Sequence, residues 1–513
     1  MKFYKITSIA TLLAIVFAVG CKESAFDKVV PQDPVESDFF NQEIDFHQAV
    51  LGTYANLTDF YWWNANVPIV PSYQLPDDQA TTSASFSASG HGQSVAFEAF
   101  GPLRSDNLIS QRVWEAAFKT IQRANTVLEK NENVEDGVYT TPGLKAAHRG
   151  EVLFLRGFCY FYLYNYFGKA PLVTKRISLQ SEVVKPPVTI ELLNQAANDF
   201  SEAATLLPQT WAADNLGRAT KNSANGFLGK TLLFRGSYTG STADYTAAIV
   251  AFNAISGVSL VPDWTDNFAF DAENNAESIF EFQASYAPNG NVWLFNDSGG
   301  NGDMSSANNA GYSNSGNGLG FAGQRIIATE KMMNFFDLND PRTLLTVDTA
   351  VNSYRYVVKF TLREGTRDPR SSITTKNNHR IMRYAEILLL KAEAIIRSGG
   401  TASDAIGLIN EVRTRARDFG GGAEPANMST AETNGSTILG WIRDEKLREL
   451  AFEDAHRWFD LKRWHTLGDI TLNGAFFDSD NASFDFNPAK HLVFPIPQTE
   501  ISRNPQMTQN TGY

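Results

Sequence analysis

Histidine and cysteine are the residues most often used for catalysis and metal binding, and this chain places them far apart. It has seven histidines and two cysteines in 513 residues. None of them forms a His-Glu-x-x-His pair or a group with the spacing of a zinc site. A Gly-x-Ser-x-Gly motif, which would present a nucleophilic serine, is also missing. The sequence therefore indicates no catalytic residue, no metal site and no cofactor.

One glycine motif, Gly318-Leu-Gly-Phe-Ala-Gly323, matches the Gly-x-Gly-x-x-Gly pattern of dinucleotide-binding loops. In those proteins the motif follows a strand and opens a helix. Here it lies within residues 286–323, where nine glycines and eight asparagines occupy 38 positions. Such a composition cannot bury a core, so it predicts long surface loops instead of a nucleotide site.

Acidic and basic side chains crowd among the aromatic residues of 447–464 and could in principle form an active site. Glu449, Glu453 and Arg457 recur at intervals of four, which is the spacing of ion pairs along a helix. Charges of this kind between packed helices are usually structural. We therefore interpret them, together with Glu151 and Arg156, as ion pairs of the scaffold.

Five aromatic residues in polar surroundings are better candidates for a functional site. They are Trp62 and Trp63 in Tyr-Trp-Trp-Asn, Trp293 and Phe295 in Asn-Val-Trp-Leu-Phe-Asn, and Tyr312 in Gly-Tyr-Ser-Asn. Flat aromatic rings beside amide side chains suit the C–H faces and hydroxyl groups of sugars. The alternative for each is an ordinary hydrophobic contact at the end of an element.

The N-terminus has the pattern of a bacterial lipoprotein signal. Lys2 and Lys5 precede an uncharged stretch that is too short to span a bilayer, and Ala18-Val-Gly then leads to Cys21. We expect residues 1–20 to be a signal peptide, Cys21 to carry the lipid and residues 21–40 to be a tether. The second cysteine, Cys159, lies in an apolar run and is predicted to be buried.

The overall charge argues against two kinds of partner, nucleic acid and anionic lipid. Formal net charge is −12, and loss of Lys2 and Lys5 with a signal peptide would make it about −14 (−12 minus 2). A surface this acidic argues against nucleic acid and against electrostatic adhesion to anionic lipid.

Helical periodicity dominates the rest of the chain. Apart from strands at 277–283 and 355–362, the predicted elements are helices at 41–58, 105–130, 142–167, from 189, 222–235, 244–255, 380–397, 403–417 and 437–464. The pair at 380–417 has the size of a tetratricopeptide unit, with small residues at packing positions. The predicted fold is mainly α: tetratricopeptide-like helix pairs in a solenoid that supports long loops and a few short strands.

Ordered sequence blocks from residue 114 to the C-terminus resemble the SusD/RagB family. The blocks that carry this resemblance are Trp114 with Ile121-Gln-Arg-Ala-Asn125, Gly150-Glu-Val-Leu-Phe-Leu-Arg-Gly-Phe158, Phe167-Gly-Lys-Ala-Pro-Leu172, Arg383-Tyr-Ala-Glu-Ile-Leu-Leu-Leu-Lys-Ala-Glu-Ala394, Asp444-Glu-Lys-Leu-Arg-Glu-Leu450, His456-Arg-Trp-Phe-Asp-Leu-Lys-Arg-Trp464, Phe494-Pro-Ile-Pro497 and Gln509-Asn-Thr-Gly-Tyr513. The resemblance implies a SusD-like N-terminal helical part at 41–255. It also implies a C-terminal part at 256–513, with loops at 286–323, helices at 380–464 and an extended tail, forming one body with the first.

The resemblance also implies a function. Members of this family are lipoproteins of the bacterial surface that capture oligosaccharides, or in some members peptides. They pass these ligands to a SusC-like TonB-dependent outer-membrane transporter. Lys22-Glu23 after the predicted lipid site resembles the export signal of surface lipoproteins in Bacteroidetes-type bacteria, which implies an outer-membrane location facing the cell exterior.

The predicted protein is thus a binding protein and not an enzyme. Two other functions stay open at this point: a surface glycan-degrading enzyme with distant carboxylate partners, and a tetratricopeptide scaffold that binds only proteins. The binding residues of the family lie in variable loops, so no motif transfers them to this chain.

Overall fold

The computed structural model describes residues 39–61, 75–82, 92–179, 184–269, 271–283, 326–348, 355–361, 377–477 and 485–513. Helices form most of this part of the chain, so the prediction of a mainly α fold is confirmed. The helices are α1 (Glu43–Ala55), α2 (Leu57–Tyr61), α3 (Gly92–Ala99), α4 (Leu108–Glu132), α5 (Leu144–Phe167), α6 (Glu191–Leu206), α7 (Lys221–Thr239), α8 (Thr242–Asn253), α9 (Glu330–Phe335), α10 (Arg342–Thr346), α11 (Tyr384–Arg397), α12 (Ala402–Gly420), α13 (Gly435–Glu449), α14 (His456–Thr466), α15 (Gly474–Phe477), α16 (Pro488–His491) and α17 (Gln498–Arg503).

The central helix is α5, which packs between α4 and α6. From Gly150 to Phe167 nearly all of its residues are buried, and most of them are apolar, as is typical of a helix that is enclosed on all sides. It ends at Gly168, which adopts φ 72° and so accepts the left-handed conformation that closes a helix. Helix α4 begins at Leu108 and not at the predicted residue 105, because Asn107 caps it.

A second helical layer consists of α11, α12 and α13. Ala392 and Ala405 are fully buried between α11 and α12, where their small side chains allow close approach. These helices enclose a separate hydrophobic cluster that includes Leu389, Ile409 and Ile442. The predicted helix pair at 380–417 is confirmed, except that it begins at Tyr384.

The strands are short and form three small sheets. Four strands have the order β1 (Ala80–Thr82), β5 (Ile326–Ala328), β7 (Tyr356–Val357) and β6 (Val347–Asp348). Two pairs complete the set: β2 (Ala170–Pro171) with β3 (Pro187–Val188), and β4 (Ser278–Phe282) with β8 (His379–Arg383). The strand predicted at 277–283 is confirmed, whereas the strand predicted at 355–362 is cut short by a 3₁₀ turn at Lys359–Thr361.

Two predicted helix boundaries are wrong. Residues 380–383 form strand β8 and not the start of a helix, because Arg380 and Arg383 reach buried carboxylates from an extended backbone. The predicted helix 437–464 is two helices, separated by the turn 450–455. In that turn Phe452 and Asp454 have positive φ values of 62° and 37°, so the helical conformation cannot continue.

The C-terminal tail, for which an extended conformation is predicted, packs on the helices. The amide of Phe494 donates to the carbonyl of Tyr166 at 2.7 Å, and Asn510 Nδ2 donates to the carbonyl of Phe167 at 2.8 Å. The tail is not wholly extended, because α17 begins directly after Pro497. Proline is tolerated at the start of a helix, where its missing N–H costs nothing.

The main hydrophobic cluster contains residues from both sides of residue 255, including Val50, Phe161, Phe459 and Phe494. Cys159 is fully buried within it, as predicted, and burial raises the pKa of its thiol. In the residue ranges that the structure describes, no helix has both the length and the apolar character needed to cross a membrane.

Candidate functional site

The five aromatic residues predicted from the sequence, Trp62, Trp63, Trp293, Phe295 and Tyr312, lie outside the described residues. The same holds for the predicted loops at 286–323, for the predicted lipid site Cys21 and for most of the tether. The candidate site is therefore built from the described residues that flank two stretches of the sequence. The first aromatic segment, 62–74, contains Trp62 and Trp63, and the second aromatic segment, 284–325, contains Trp293, Phe295 and Tyr312.

The two segments leave the scaffold side by side. Tyr61, which directly precedes Trp62, is buried with its ring centroid 5.4 Å from that of Phe282. Phe282 ends β4, one residue before the last described position ahead of Trp293. His379 on the neighbouring strand β8 lies 5.1 Å from the Tyr61 ring. These contacts place the N-terminal boundaries of both segments together.

The strands that follow the two segments belong to one sheet. Strand β1, which follows the first segment, pairs antiparallel with β5, which follows the second. Beyond the strand pair, the amide of Thr329 donates to the carbonyl of Gln79 at 2.9 Å, and Thr329 Oγ1 donates to the carbonyl of Asp78 at 2.8 Å. The structure thus brings the N-terminal boundaries of the two segments together and places β1 and β5, which follow the segments, in one sheet.

The turn 450–455 is the common support of these boundaries. Asp454 accepts a short hydrogen bond from the Tyr162 hydroxyl and a long one, 3.5 Å, from the Tyr61 hydroxyl, and it lies 3.4 Å from His379 Nε2. Burial raises the pKa of Asp454, but the hydrogen bond and charge of His379 outweigh it, so the pKa lies below its ordinary value. Asp454 is therefore an ionised acceptor that fixes Tyr61 beside Trp62.

The same turn also holds the far side of the first segment. The amide of Phe452 donates to Gln79 Oε1 at 2.9 Å, and Gln79 Nε2 donates to Asp77 at 2.6 Å. Burial and the nearby charge of Asp78 raise the pKa of Asp77 to about 7. Asp78 itself pairs with Arg457 at 2.7 Å and with Lys331 at 3.0 Å. The left-handed turn thus positions the residues on either side of the two tryptophans.

The charges that the sequence places near this turn are structural, as predicted. Glu449 contacts Arg342 at 2.7 Å and Arg383 at 2.6 Å, and it also pairs with Arg415. Burial raises the pKa of Glu449, but the charges of the three arginines outweigh it and hold that pKa well below its usual range. We call Glu449 and these three arginines the Glu449 cluster.

Other predicted charges pair within the scaffold too. Arg218 contacts Glu151 at 2.6 Å, and Arg156 contacts Asp199 at 2.7 Å. One detail of the prediction is wrong: Arg457 pairs with Asp78 and not with Glu453, because the turn 450–455 breaks the helical spacing. In the part of the chain that the structure describes, no group of three or more histidine, cysteine, aspartate or glutamate residues could hold a metal ion.

A cleft that sequence analysis did not single out lies beside Trp211, next to the start of the second segment. Its volume is about 200 Å³. It is enclosed by the connection between α6 and α7, the residues that follow α8, and strand β4. Its lining residues include Gln209, Trp211, Asn222, Ser256 and Glu281. The signal in the sequence was weak, because Trp211 and its polar partners are separated by up to 70 positions. We call this space the Trp211 cleft.

Comparison with known proteins agrees with this architecture. Residues 346–513 match the SusD family, and residues 36–233 match a family described as "Starch-binding associating with outer membrane". SusD-like protein P2 of Formosa agariphila is 26% identical over 549 aligned residues, which cover 100% of both chains. The starch-binding protein SusD of Bacteroides thetaiotaomicron is 34% identical over 135 residues, or 26% of this chain and 21% of that protein.

Two solved structures show the same fold. A SusD homolog from Bacteroides thetaiotaomicron superposes with a TM-score of 0.74 at 20% identity, covering 94% of this chain and 99% of that one. The surface glycan-binding protein A of the same organism, in complex with laminarihexaose, has a TM-score of 0.69 at 20% identity and covers 91% and 99%. This chain belongs to the SusD/RagB family.

Proposed function

We propose that this protein is a cell-surface lipoprotein that captures oligosaccharides and delivers them to a TonB-dependent outer-membrane transporter of the SusC type. The observation that carries this proposal is the contact between Tyr61 and Phe282, which lie just before the two aromatic segments, together with the pairing of β1 and β5, which follow them. Trp62, Trp63, Trp293, Phe295 and Tyr312 all belong to these segments. Aromatic residues that leave a rigid scaffold at one place suit the recognition of sugar rings.

The relatives support the choice of ligand. Among them are a starch-binding protein and a glycan-binding protein whose structure contains laminarihexaose. Binding without catalysis is supported by the carboxylates Glu449 and Asp78 near the turn 450–455, because both are occupied by ion pairs with arginines. A general acid or base needs a proton that it can exchange with substrate, and buried paired charges do not offer one.

The remaining parts of the proposal concern placement. We propose that residues 1–20 are removed as a signal peptide, that Cys21 carries the lipid and that residues 21–40 tether the body outside the outer membrane. The body would comprise the helical part 41–255 and the C-terminal part 256–513. Their shared hydrophobic cluster supports this arrangement as one unit.

Calorimetry with laminarihexaose and maltohexaose, together with a wider glycan and peptide array, tests the ligand class. We expect saturable glycan binding by the purified chain, and at least tenfold weaker binding after Trp62→Ala, Trp63→Ala, Trp293→Ala or Tyr312→Ala. Trp441→Ala is the matched control, because Trp441 is a partly buried tryptophan that packs against the second hydrophobic cluster. Unchanged affinity in the loop variants would disprove the site.

Two further outcomes separate the alternatives. Turnover of a glycan by the purified protein, lost on replacing one pair of acidic residues, would identify an enzyme. Binding of protein partners without any glycan or peptide would identify a scaffold. Placement is tested in cells, where Cys21→Ala should release the protein from the membrane and the wild type should co-purify with an outer-membrane barrel.

A further inference from the structure

We propose that the Trp211 cleft is a second carbohydrate site, which binds a single neutral sugar ring. It is additional to the proposed principal site, which uses the aromatic residues of the two segments. This inference takes only its ligand class, a carbohydrate, from the proposed function. Its evidence comes from described residues that the proposed principal site does not use.

The size of the cleft limits its ligand. Sites for drug-sized molecules usually measure about 300–1,000 Å³. The Trp211 cleft measures about 200 Å³, so it has room for one ring and not for an oligosaccharide. Its opening to solvent lets the remainder of a longer glycan extend outward, since Gln209, Thr210 and Ser256 at its rim are exposed.

The aromatic wall of the cleft is held in a fixed orientation. Trp211 Nε1 donates to the carbonyl of Ala219 at 2.8 Å. The guanidinium carbon of Arg218 lies 4.4 Å from the ring centroid and so covers part of the indole. The ring remains partly exposed and lines the cleft. A rigid indole loses little conformational entropy when the apolar face of a sugar packs on it.

Three polar residues also line the cleft. Gln209 Nε2 donates to Asn222 Oδ1 at 3.0 Å and to the carbonyl of Ser256 at 3.1 Å, and Asn222 Nδ2 donates to the same carbonyl at 2.8 Å. These bonds fix the amide of Gln209. Within the described residues, Gln209 Oε1 and Ser256 Oγ have no protein partner. Gln209 Oε1 is therefore a hydrogen-bond acceptor that is held in place, and Ser256 Oγ is a hydroxyl that can donate or accept. Both kinds of group form hydrogen bonds with sugar hydroxyls.

The charges that line the cleft favour a neutral ligand. Arg218 is neutralised by Glu151, which it contacts through two nitrogens at 2.6 and 2.7 Å. Glu281 accepts from Asn378 Nδ2 at 2.8 Å and lies 3.7 Å from Arg380. Since both charges are compensated inside the protein, nothing in the described lining offers a cation to a sulfate or a uronic acid.

Fluorine NMR of the full chain labelled with 5-fluorotryptophan tests the proposal, with Trp211→Phe used to assign the Trp211 signal. The probes are the methyl glycosides of glucose, galactose, mannose and xylose. Sorbitol is the control, because it has the same hydroxyl chemistry without a ring face. We expect at least one glycoside to shift the Trp211 signal saturably, with a dissociation constant in the millimolar range, and sorbitol to leave it unchanged.

Two variants tie the response to the cleft. Gln209→Ala should weaken the response about three- to tenfold, which is the value of one hydrogen bond to an exposed amide. Leu338→Ala, at a leucine that is 72% exposed and does not line the cleft, should not change it. If none of the four glycosides shifts the Trp211 signal, or if sorbitol shifts it equally, the proposal is wrong.

The same measurement in a Trp62→Ala, Trp63→Ala, Trp293→Ala background separates this site from the principal one. A Trp211 response that persists there supports an independent second site. A response that disappears there overturns it. Failure of the principal site would instead show as unchanged oligosaccharide affinity in that background, whatever Trp211 does.

Discussion

The Glu449 cluster and the Trp211 cleft both bring charged side chains next to a tryptophan, but they use them differently. In the cluster, one carboxylate binds three arginines, and Trp264 Nε1 donates to it at 3.2 Å. All of these side chains are buried. In the cleft, the indole of Trp211 is partly exposed, and the rim amide of Gln209 retains an acceptor atom.

The difference separates support from recognition. Buried charges must be paired, because an isolated ion loses its hydration, and pairing leaves them nothing to offer a ligand. Polar groups at a rim are held by part of their hydrogen-bonding capacity and can offer the rest. The comparison therefore predicts that changes in the cluster act on folding stability, whereas changes at the cleft act on ligand binding.

The largest expected effect follows from Glu449→Ala. The substitution leaves Arg342, Arg383 and Arg415 without their shared carboxylate, and breaking such a buried pair costs about 3–5 kcal/mol. We expect the free energy of unfolding in urea to fall by that amount.

The control is another pair of a carboxylate and a cation, one that is exposed to solvent. Lys119 and Asp59 lie 2.6 Å apart with side chains 51% and 38% exposed, so Asp59→Ala should cost about 1 kcal/mol or less. Equal losses in the two variants would contradict the role assigned to the cluster. Glu449→Ala protein that still folds should keep the Trp211 response to methyl glycosides.

Acid should weaken the scaffold by the same mechanism. Burial alone would raise the pKa of Glu449, Glu453 and Asp78, but neighbouring arginines outweigh it and lower all three. A carboxylate whose pKa is lower in the folded state stabilises the fold above its unfolded pKa, near 4. That stability is lost as pH falls toward the folded pKa.

Each unit of pKa depression corresponds to about 1.4 kcal/mol. We therefore expect the free energy of unfolding to decline by several kcal/mol from about pH 5 to pH 2. Urea titrations at a series of pH values measure this decline. A constant stability down to pH 2 would contradict this prediction.

The smallest effect is expected at a glycine in the wall of the cleft. Gly217 lines the cleft with φ +90°, and a Cβ there would overlap the side chain of Gln283. Gly217→Ala should cost about 1–3 kcal/mol and disturb the cleft, so the Trp211 response should weaken.

Gly240→Ala is the matched control, because Gly240 has φ +74° but open space around its Cα. It should show only the conformational cost of about 1 kcal/mol and an unchanged Trp211 response. If the Trp211 response is similar in both variants, Gly217 does not determine the shape of the cleft.

Local sequence patterns predicted most of the helices but not the left-handed turn 450–455. Helix α5 was foreseen because its apolar run and Gly168 are contiguous signals. The break after Glu449 was missed, since residues 437–464 read locally as one amphipathic helix. Contacts from Gln79, Tyr162 and Lys359, far away in sequence, hold Phe452, Glu453 and Asp454 in place.

The same limit applies to the sites. The five predicted aromatics were chosen from their glycine- and asparagine-rich neighbours, and they remain predictions. The Trp211 cleft was missed because its walls come from three parts of the chain. Only the hydrogen bonds among Gln209, Asn222 and Ser256 reveal that these residues belong together.

The sequence by itself determined the helical class, the family and the structural role of the charged residues. Each of these depends on periodicity or on ordered motifs that are written along the chain. The tertiary structure decided which charges pair, where the last long helix breaks and which described residues flanking the two aromatic segments are in contact. These features depend on contacts between residues that are distant in sequence, and such contacts are fixed only when burial forces every polar group to find a partner.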